Sequence, residues 1–108
     1  MSGESAPMGQ ILADIEIALN ITWDDEATHA RIRRLIEDGM AYLNDKRGEP
    51  GDYTTPGYPR TLLTEYVRYA RDEALDVFEN NYQSLILAMQ NERQVQAYAD
   101  SLESAAET

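Results

Sequence analysis

Apolar residues recur at helical spacing along most of the chain, and this pattern predicts an all-α fold. A first stripe covers residues 9–19 and ends at Asn20, a residue that tolerates the left-handed conformation of a helix end. We expect a second helix to begin after Thr22, whose hydroxyl can cap backbone N–H groups. It is expected to end at Gly48, after two basic residues in its last turn. The stripe positions of these two helices are Ile11, Leu12, Ile15 and Leu19, then Ile32, Leu35, Ile36, Gly39 and Leu43.

Two further helices are predicted in the second half of the chain. Pro59 suits the first position of a helix, where its missing N–H is no loss, and an apolar stripe continues from there to about Asn80. The pair Asn80-Asn81 predicts a bend, after which a fourth helix begins with Tyr82. We therefore expect a disordered tail over residues 1–8, a small bundle of about four helices over 9–90, and an extended C-terminal helix and tail over 91–108.

The fourth helix changes the phase of its apolar face. Tyr82, Leu85, Ile86 and Met89 share one face, but the later apolar residues are Val95, Tyr98, Ala99 and Leu102. The step from Met89 to Val95 turns the face by about 240°. A straight helix cannot point both stripes at one core, so we expect residues 90–102 to pack against a partner. A frayed or kinked end without a partner is the alternative.

The stretch 48–58 is rich in glycine and proline and predicts an irregular loop. It is longer than the roughly 2–8 residues that usually connect packed helices, and long loops often carry binding residues. The candidate loop contacts are Glu49, Asp52, Tyr53 and Tyr58; a hairpin loop without function is the alternative. Trp23, between the first two helices, is predicted to anchor that junction, with an exposed interface anchor as the alternative.

Composition removes most chemistry from consideration. The chain has no cysteine and one histidine, His29, which excludes thiolate sites and leaves a zinc site without enough ligands. The densest carboxylates, at 24–26, are explained by the start of a helix. Nine basic residues stand against twenty acidic ones, a net charge of −11, which disfavours binding of phosphate backbones. We expect no enzymatic activity, metal or cofactor, and no apolar run approaches the roughly 20 residues of a membrane span.

Several short runs, taken in order, resemble the head–tail connector (adaptor) proteins of long-tailed bacteriophages. The resemblance covers residues 9–90. The runs are Ile21-Thr22-Trp23-Asp24-Asp25-Glu26, Ile36-Glu37-Asp38-Gly39, Tyr42-Leu43-Asn44-Asp45, Leu62-Leu63, Tyr66-Val67-Arg68-Tyr69 and Ala74-Leu75-Asp76-Val77-Phe78-Glu79-Asn80-Asn81-Tyr82.

This resemblance implies a structural protein of the virion, made in the host cytoplasm and placed at the head–tail junction. Such adaptors are helical proteins that assemble as a homo-oligomeric ring, expected to be twelvefold, beneath the portal protein. The ring extends the channel through which DNA passes without specific binding. It also docks the next head-completion (stopper) or tail protein, and the family has no catalytic residues. The loop 48–58 and the tail after Asn91 are the parts whose roles the resemblance does not specify.

Two readings of a different class remain open on sequence. An acidic DNA mimic would use its carboxylates to occupy the basic groove of a nucleic-acid-binding protein, and the size and charge of the chain fit that role. A helix-turn-helix DNA binder could use Arg31, Arg33 and Arg34, although acidic residues surround them. The DNA mimic is the stronger alternative to the connector.

Overall fold

The computed structural model describes residues 2–22 and 25–107, with side chains over 7–22 and 25–105. Across these residues the chain forms four helices and no strand, which confirms the all-α prediction. The helices are α1 (Ser2–Ala18), α2 (Glu26–Arg47), α3 (Tyr58–Arg71) and α4 (Leu75–Glu107). The long loop between α2 and α3 and the extended last helix are both present. Trp23, the predicted junction anchor, lies outside the described residues.

Helices α1 and α3 end in the same way. Asn20 and Glu73 each adopt a left-handed backbone, with φ of 59° and 55°. After each, the chain donates a backbone hydrogen bond five residues back, from Ile21 N to Glu16 O and from Ala74 N to Tyr69 O. This is the Schellman arrangement, which satisfies carbonyls that a helix end would otherwise leave unpaired. Asn20 was predicted for this role, whereas a glutamate gives no such sequence signal.

Helix α2 has well-defined caps at both ends. Its N-cap is Asp25 rather than the predicted Thr22, because the Asp25 carboxylate accepts a hydrogen bond from the backbone N of Thr28. Asp25 is exposed, and the hydrogen bonds from Thr28 hold its pKa below the ordinary value. At the other end Gly48 is left-handed, with φ of 91°, and its N–H bonds to Asn44 O. The predicted glycine end is therefore confirmed, with Lys46 and Arg47 in the last turn.

Two helix boundaries differ from the predictions. Helix α1 begins at Ser2, so residues 2–8 are helical rather than the expected disordered tail; the apolar stripe marks only where side chains become buried, not where the helix starts. The expected bend at Asn80-Asn81 is absent, and the break lies at 72–74 instead. Both asparagines are exposed on α4 and need no bend to reach water.

The core is built around one aromatic side chain of α4. Phe78 is fully buried, and four tyrosine rings contact it at centroid distances between 5.3 and 6.2 Å. Burying a phenylalanine contributes roughly 1.5–3 kcal/mol, and each well-oriented aromatic pair adds about 0.5–1.5 kcal/mol. The surrounding tyrosines, contributed by α2, α3 and α4, are Tyr42, Tyr66, Tyr69 and Tyr82.

Helix α1 packs against α2. Its buried residues Ile11, Leu12, Ile15 and Leu19 belong to the same hydrophobic cluster. A partly buried polar contact reinforces the pair, since His29 Nδ1 lies 2.6 Å from Glu16 Oε2. His29 thus links two helices instead of standing on an open surface.

Helices α2 and α3 cross closely at Gly39. A Cβ placed on Gly39 would lie 2.8 Å from both Leu63 Cδ1 and Tyr66 Cδ1. Glycine is costly in a helix interior, but here its small size lets the two backbones approach. The close approach in turn brings Tyr66 against Tyr42 and Phe78.

We expect Gly39→Ala to lower the free energy of unfolding by about 1–2 kcal/mol. The forced displacement of Leu63 and Tyr66 costs about 1–3 kcal/mol, which the better helix propensity of alanine offsets only in part. Urea unfolding followed by far-UV circular dichroism measures the change.

Gly9→Ala is the matched control. Gly9 is exposed within α1, and a Cβ there meets nothing within 4 Å. Alanine should therefore stabilise the protein by roughly 0.5–1 kcal/mol through helix propensity alone. Equal effects of the two substitutions would contradict the close packing at Gly39.

Candidate interaction surface

Helix α4 divides into a packed half and a projecting half. Up to Arg93 it alternates buried and exposed positions, and Phe78, Ile86 and Met89 face the core. From Gln94 to Ala105 every side chain is exposed. The helix is 33 residues long, and the longest dimension of the molecule is 55 Å. A C-terminal rod thus projects from the bundle.

Two side chains fasten α4 to the end of α2 just before the rod begins. Gln90 Nε2 donates a hydrogen bond of 2.8 Å to Lys46 O, one of the carbonyls in the last turn of α2. Arg93 Nη2 lies 3.3 Å from Glu49 Oε1, and its guanidinium carbon lies over Gly48. A cation beside the C-terminal end of α2 is favourable for the helix dipole. These contacts fix the direction in which the rod leaves the bundle.

The rod carries a stripe of exposed apolar side chains. Val95, Tyr98 and Leu102 are 68%, 67% and 53% exposed, and Leu87 is 55% exposed. At 100° per residue these four positions fall within a sector of about 80°, on the side of α4 opposite Phe78 and Met89. We call this set the α4 stripe. The sequence-predicted Ala99 is also exposed and borders it.

The phase change predicted from the sequence is thus present without a bend at 80–81. Leu87 was missed because the packed stripe of Ile86 and Met89 surrounds it in sequence. Its spacing could have revealed it, since Leu87 lies about three helical turns before Tyr98. The α4 stripe therefore begins alongside the bundle and continues onto the rod.

Little charge lies beside the α4 stripe on the rod; at the base of the rod the exposed Glu92 borders the stripe, three residues before Val95 and about 60° from it around the helix. The acidic residues of the rod, Asp100 and Glu103, lie on the opposite side of the helix, and Asp100 Oδ1 accepts a hydrogen bond from Gln96 Nε2 at 2.9 Å. Positions beside the stripe on the rod are Gln94, Ala99 and Ser101. The rod therefore presents one apolar face bordered by neutral side chains, in a chain of net charge −11.

The loop after α2 is organised by one asparagine. Asn44 Oδ1 accepts hydrogen bonds from Gly51 N at 3.0 Å and from the Tyr53 hydroxyl at 2.6 Å. Tyr53 is only 4% exposed, so it is a core residue and not the loop contact that was predicted. A tyrosine in a loop can either close the core or contact a partner, and the sequence around Tyr53 does not distinguish the two roles. This role of Asn44 was not predicted, because its sequence context is that of an ordinary position inside a helix.

The other candidate loop contacts remain at the surface. Glu49 bridges Arg47 and Arg93, with N–O distances of 2.9 and 3.3 Å, so its carboxylate is already paired. Asp52 is exposed and accepts hydrogen bonds from the backbone of Thr54 and from the hydroxyls of Thr55 and Thr54, which lower its pKa to about 2. Tyr58 is partly buried and lines a shallow groove with Leu85 and Glu92.

Among the described residues, no group of three or more histidines and carboxylates is placed to hold a metal ion. No helix within residues 2–22 and 25–107 is both long and apolar enough to cross a membrane. No family model, curated protein or solved structure matches the chain. Four of the six large hydrophobic side chains that are exposed among the described residues belong to the α4 stripe.

Two tyrosines are expected to make the protein sensitive to alkali. Burial raises the pKa of Tyr53 to about 12, and burial together with the hydrogen bond to Glu79 raises the pKa of Tyr42 to about 12. Since the unfolded pKa is near 10, both groups stabilise the fold below pH 10 and lose that contribution as the pH rises from about 10 to 12. We expect unfolding to become easier across this window.

Absorbance at 295 nm during a pH titration measures the ionisation. A late phase near pH 12 should shrink in Tyr42→Phe and in Tyr53→Phe, and should shrink further in the double variant; burial also raises the pKa of Tyr66 and of Tyr82, which still ionise late there. A late phase of full size in the double variant would contradict the assignment.

Proposed function

We propose that the protein is a head–tail connector of a long-tailed bacteriophage, a ring subunit that binds the portal protein. The observation that carries the proposal is the α4 stripe, an apolar surface that the chain does not bury by itself. Exposed apolar patches of this kind mark contact sites with other proteins. The short sequence runs between residues 9 and 90, taken in order, resemble this family and indicate which kind of assembly the chain would join.

Ring formation requires two different lateral faces on each subunit, because head-to-tail contacts close a ring. The rod of α4 offers one such face, and in this proposal the other lies on the four-helix bundle. In this proposal the rod contacts the portal or the neighbouring subunit, while the loop 48–58 lies towards the stopper or tail protein. The assembled ring, of about twelve subunits, resides at the head–tail junction of the virion.

The acidic surface fits a channel through which DNA moves. Exposed carboxylates would repel phosphates and keep the genome from adhering to the channel wall. They are present on α2, on the turn before α4 and at the start of α4, at Glu37, Asp38, Asp45, Asp72, Glu73 and Asp76. We propose that these exposed carboxylates line the channel.

The test combines the full chain with the portal protein of the phage that encodes it. Mass photometry of the mixture should show the portal ring with about twelve added copies of the chain. A chain ending at Gln94 keeps the Gln90 and Arg93 contacts with the rest of the fold but lacks most of the rod. It should fold normally by circular dichroism and bind the portal at least tenfold more weakly.

A full-length variant with two charges reversed on the bundle provides the matched control for the removal of the rod. Asp72→Lys with Asp76→Lys alters the proposed channel lining and should leave portal binding within about twofold. A full-length chain that adds no mass to the portal would contradict the connector role. If it instead bound basic nucleic-acid-binding proteins with strong salt dependence, the DNA-mimic reading would replace it.

A further inference from the structure

On the rod, the α4 stripe has the spacing of a seven-residue repeat, to which Leu87 does not belong. Val95 and Leu102 are seven residues apart, and Tyr98 lies between them in steps of three and four. This alternation is the spacing by which one helix packs along another. The repeat extends back through Asn91 and Ala88 beside the bundle, where its residues become small or polar. The apolar part of the repeat is therefore confined to the rod.

The charges around the repeat indicate what packs on it. A basic partner would gain from acidic residues beside the stripe, but Asp100 and Glu103 lie on the opposite face of the rod. The bordering residues on the rod, Gln94, Ala99 and Ser101, are neutral, and the nearest acidic border residue, Glu92, lies about 12 Å along the helix from residue 100. A second strongly acidic molecule can therefore approach the face near residue 100 without placing like charges in contact. One molecule certain to have this character is another copy of the chain, with its charge of −11.

We propose that in the free protein two copies pair through their α4 rods, antiparallel and related by a twofold axis near residue 100. In this arrangement Tyr98 of each copy packs against Leu102 of the other. Ala99 and Ser101 lie close to the axis, where small side chains let the two backbones approach. A twofold contact uses the same surface on both copies, as the single stripe requires.

The antiparallel direction follows from electrostatics. Parallel rods would place the two acidic bundles side by side, whereas antiparallel rods place them at opposite ends of the pair. The bulky Tyr98 then meets Leu102 of the partner, and the two tyrosine rings do not have to face each other.

The size of the contact indicates a weak dimer. Val95, Tyr98 and Leu102 are each more than half exposed, and with their neighbours on two copies they would bury on the order of 1,000 Å², the lower end of specific interfaces. A dissociation constant on the order of 10 μM fits a contact of this size between like-charged chains. Such a dimer can give way when a larger partner covers the same face.

The first test is sedimentation velocity of the intact chain from about 1 to 200 μM. The chain should pass from monomer to dimer, and the dimer should strengthen at least threefold when NaCl rises from about 20 to 500 mM, because salt screens the repulsion between the acidic bundles. A chain that remains monomeric at 200 μM in both salts would overturn the proposal, and so would a dimer weakened by salt.

A matched pair of variants locates the contact. Val95→Ser with Leu102→Ser removes two stripe side chains and should weaken the dimer at least tenfold. Gln96→Ser with Ala97→Ser lies off the stripe, is also neutral and lowers helix propensity on the same rod. It should leave the dissociation constant within about twofold. If the two variants behave alike, the stripe is not the interface; circular dichroism verifies that both retain their helix content.

Disulfide cross-linking of single-cysteine variants determines the relative direction of the two rods, because the natural chain has no cysteine. Ser101→Cys lies near the proposed axis and should form a disulfide-linked dimer under mild oxidation. Gln94→Cys should not, because its partner in an antiparallel pair lies roughly 18 Å further along the rod. Efficient cross-linking of Gln94→Cys would show parallel rods and overturn the arrangement.

These experiments use the chain alone, and the inference goes beyond the connector role. Absence of the dimer would leave portal binding untouched, and failure to bind a portal would leave the dimer untouched.

Discussion

The burial of Phe78 among four tyrosine rings is the contact on which the rest of the structure depends. It joins α2, α3 and α4 at one point, and it lies in the first turn of the longest helix. The close crossing of α2 and α3 at Gly39 brings Tyr66 into that cluster. Because α4 is held there and again at Gln90 and Arg93, its remaining length can project from the bundle without support from the other helices.

The sequence predicted the parts of the fold that depend on local chemistry. Helical periodicity identified the all-α class, and Asn20 and Gly48 were correctly expected at helix ends because both residues accept a left-handed backbone. The same reasoning failed at Glu73, since nothing in a glutamate indicates that conformation. It failed again at Asn80-Asn81, where two turn-forming residues lie exposed on a continuous helix whose buried face decides the local structure.

The candidate surface was predictable only in part, for a physical reason. A change in the phase of the apolar stripe is visible in sequence, and it pointed to Val95, Tyr98 and Leu102. The sequence of the loop does not show in this way which of its side chains face the core and which face the solvent. Tyr53 and Tyr58 are both tyrosines in an irregular segment, yet the fold buries Tyr53 against Asn44 and leaves Tyr58 partly open. Only tertiary packing separates such residues.

The fastening of α4 at its first half has a mechanical consequence. Beyond Arg93 the helix runs about 14 Å to Leu102 outside the bundle, so a bend of about 5° there moves Leu102 by roughly 1 Å. The contacts of Gln90 and Arg93 and the buried side chains before them keep their positions during such a bend. The tip of the rod can therefore adjust its position to the surface that it meets without any change in the packing of the interior.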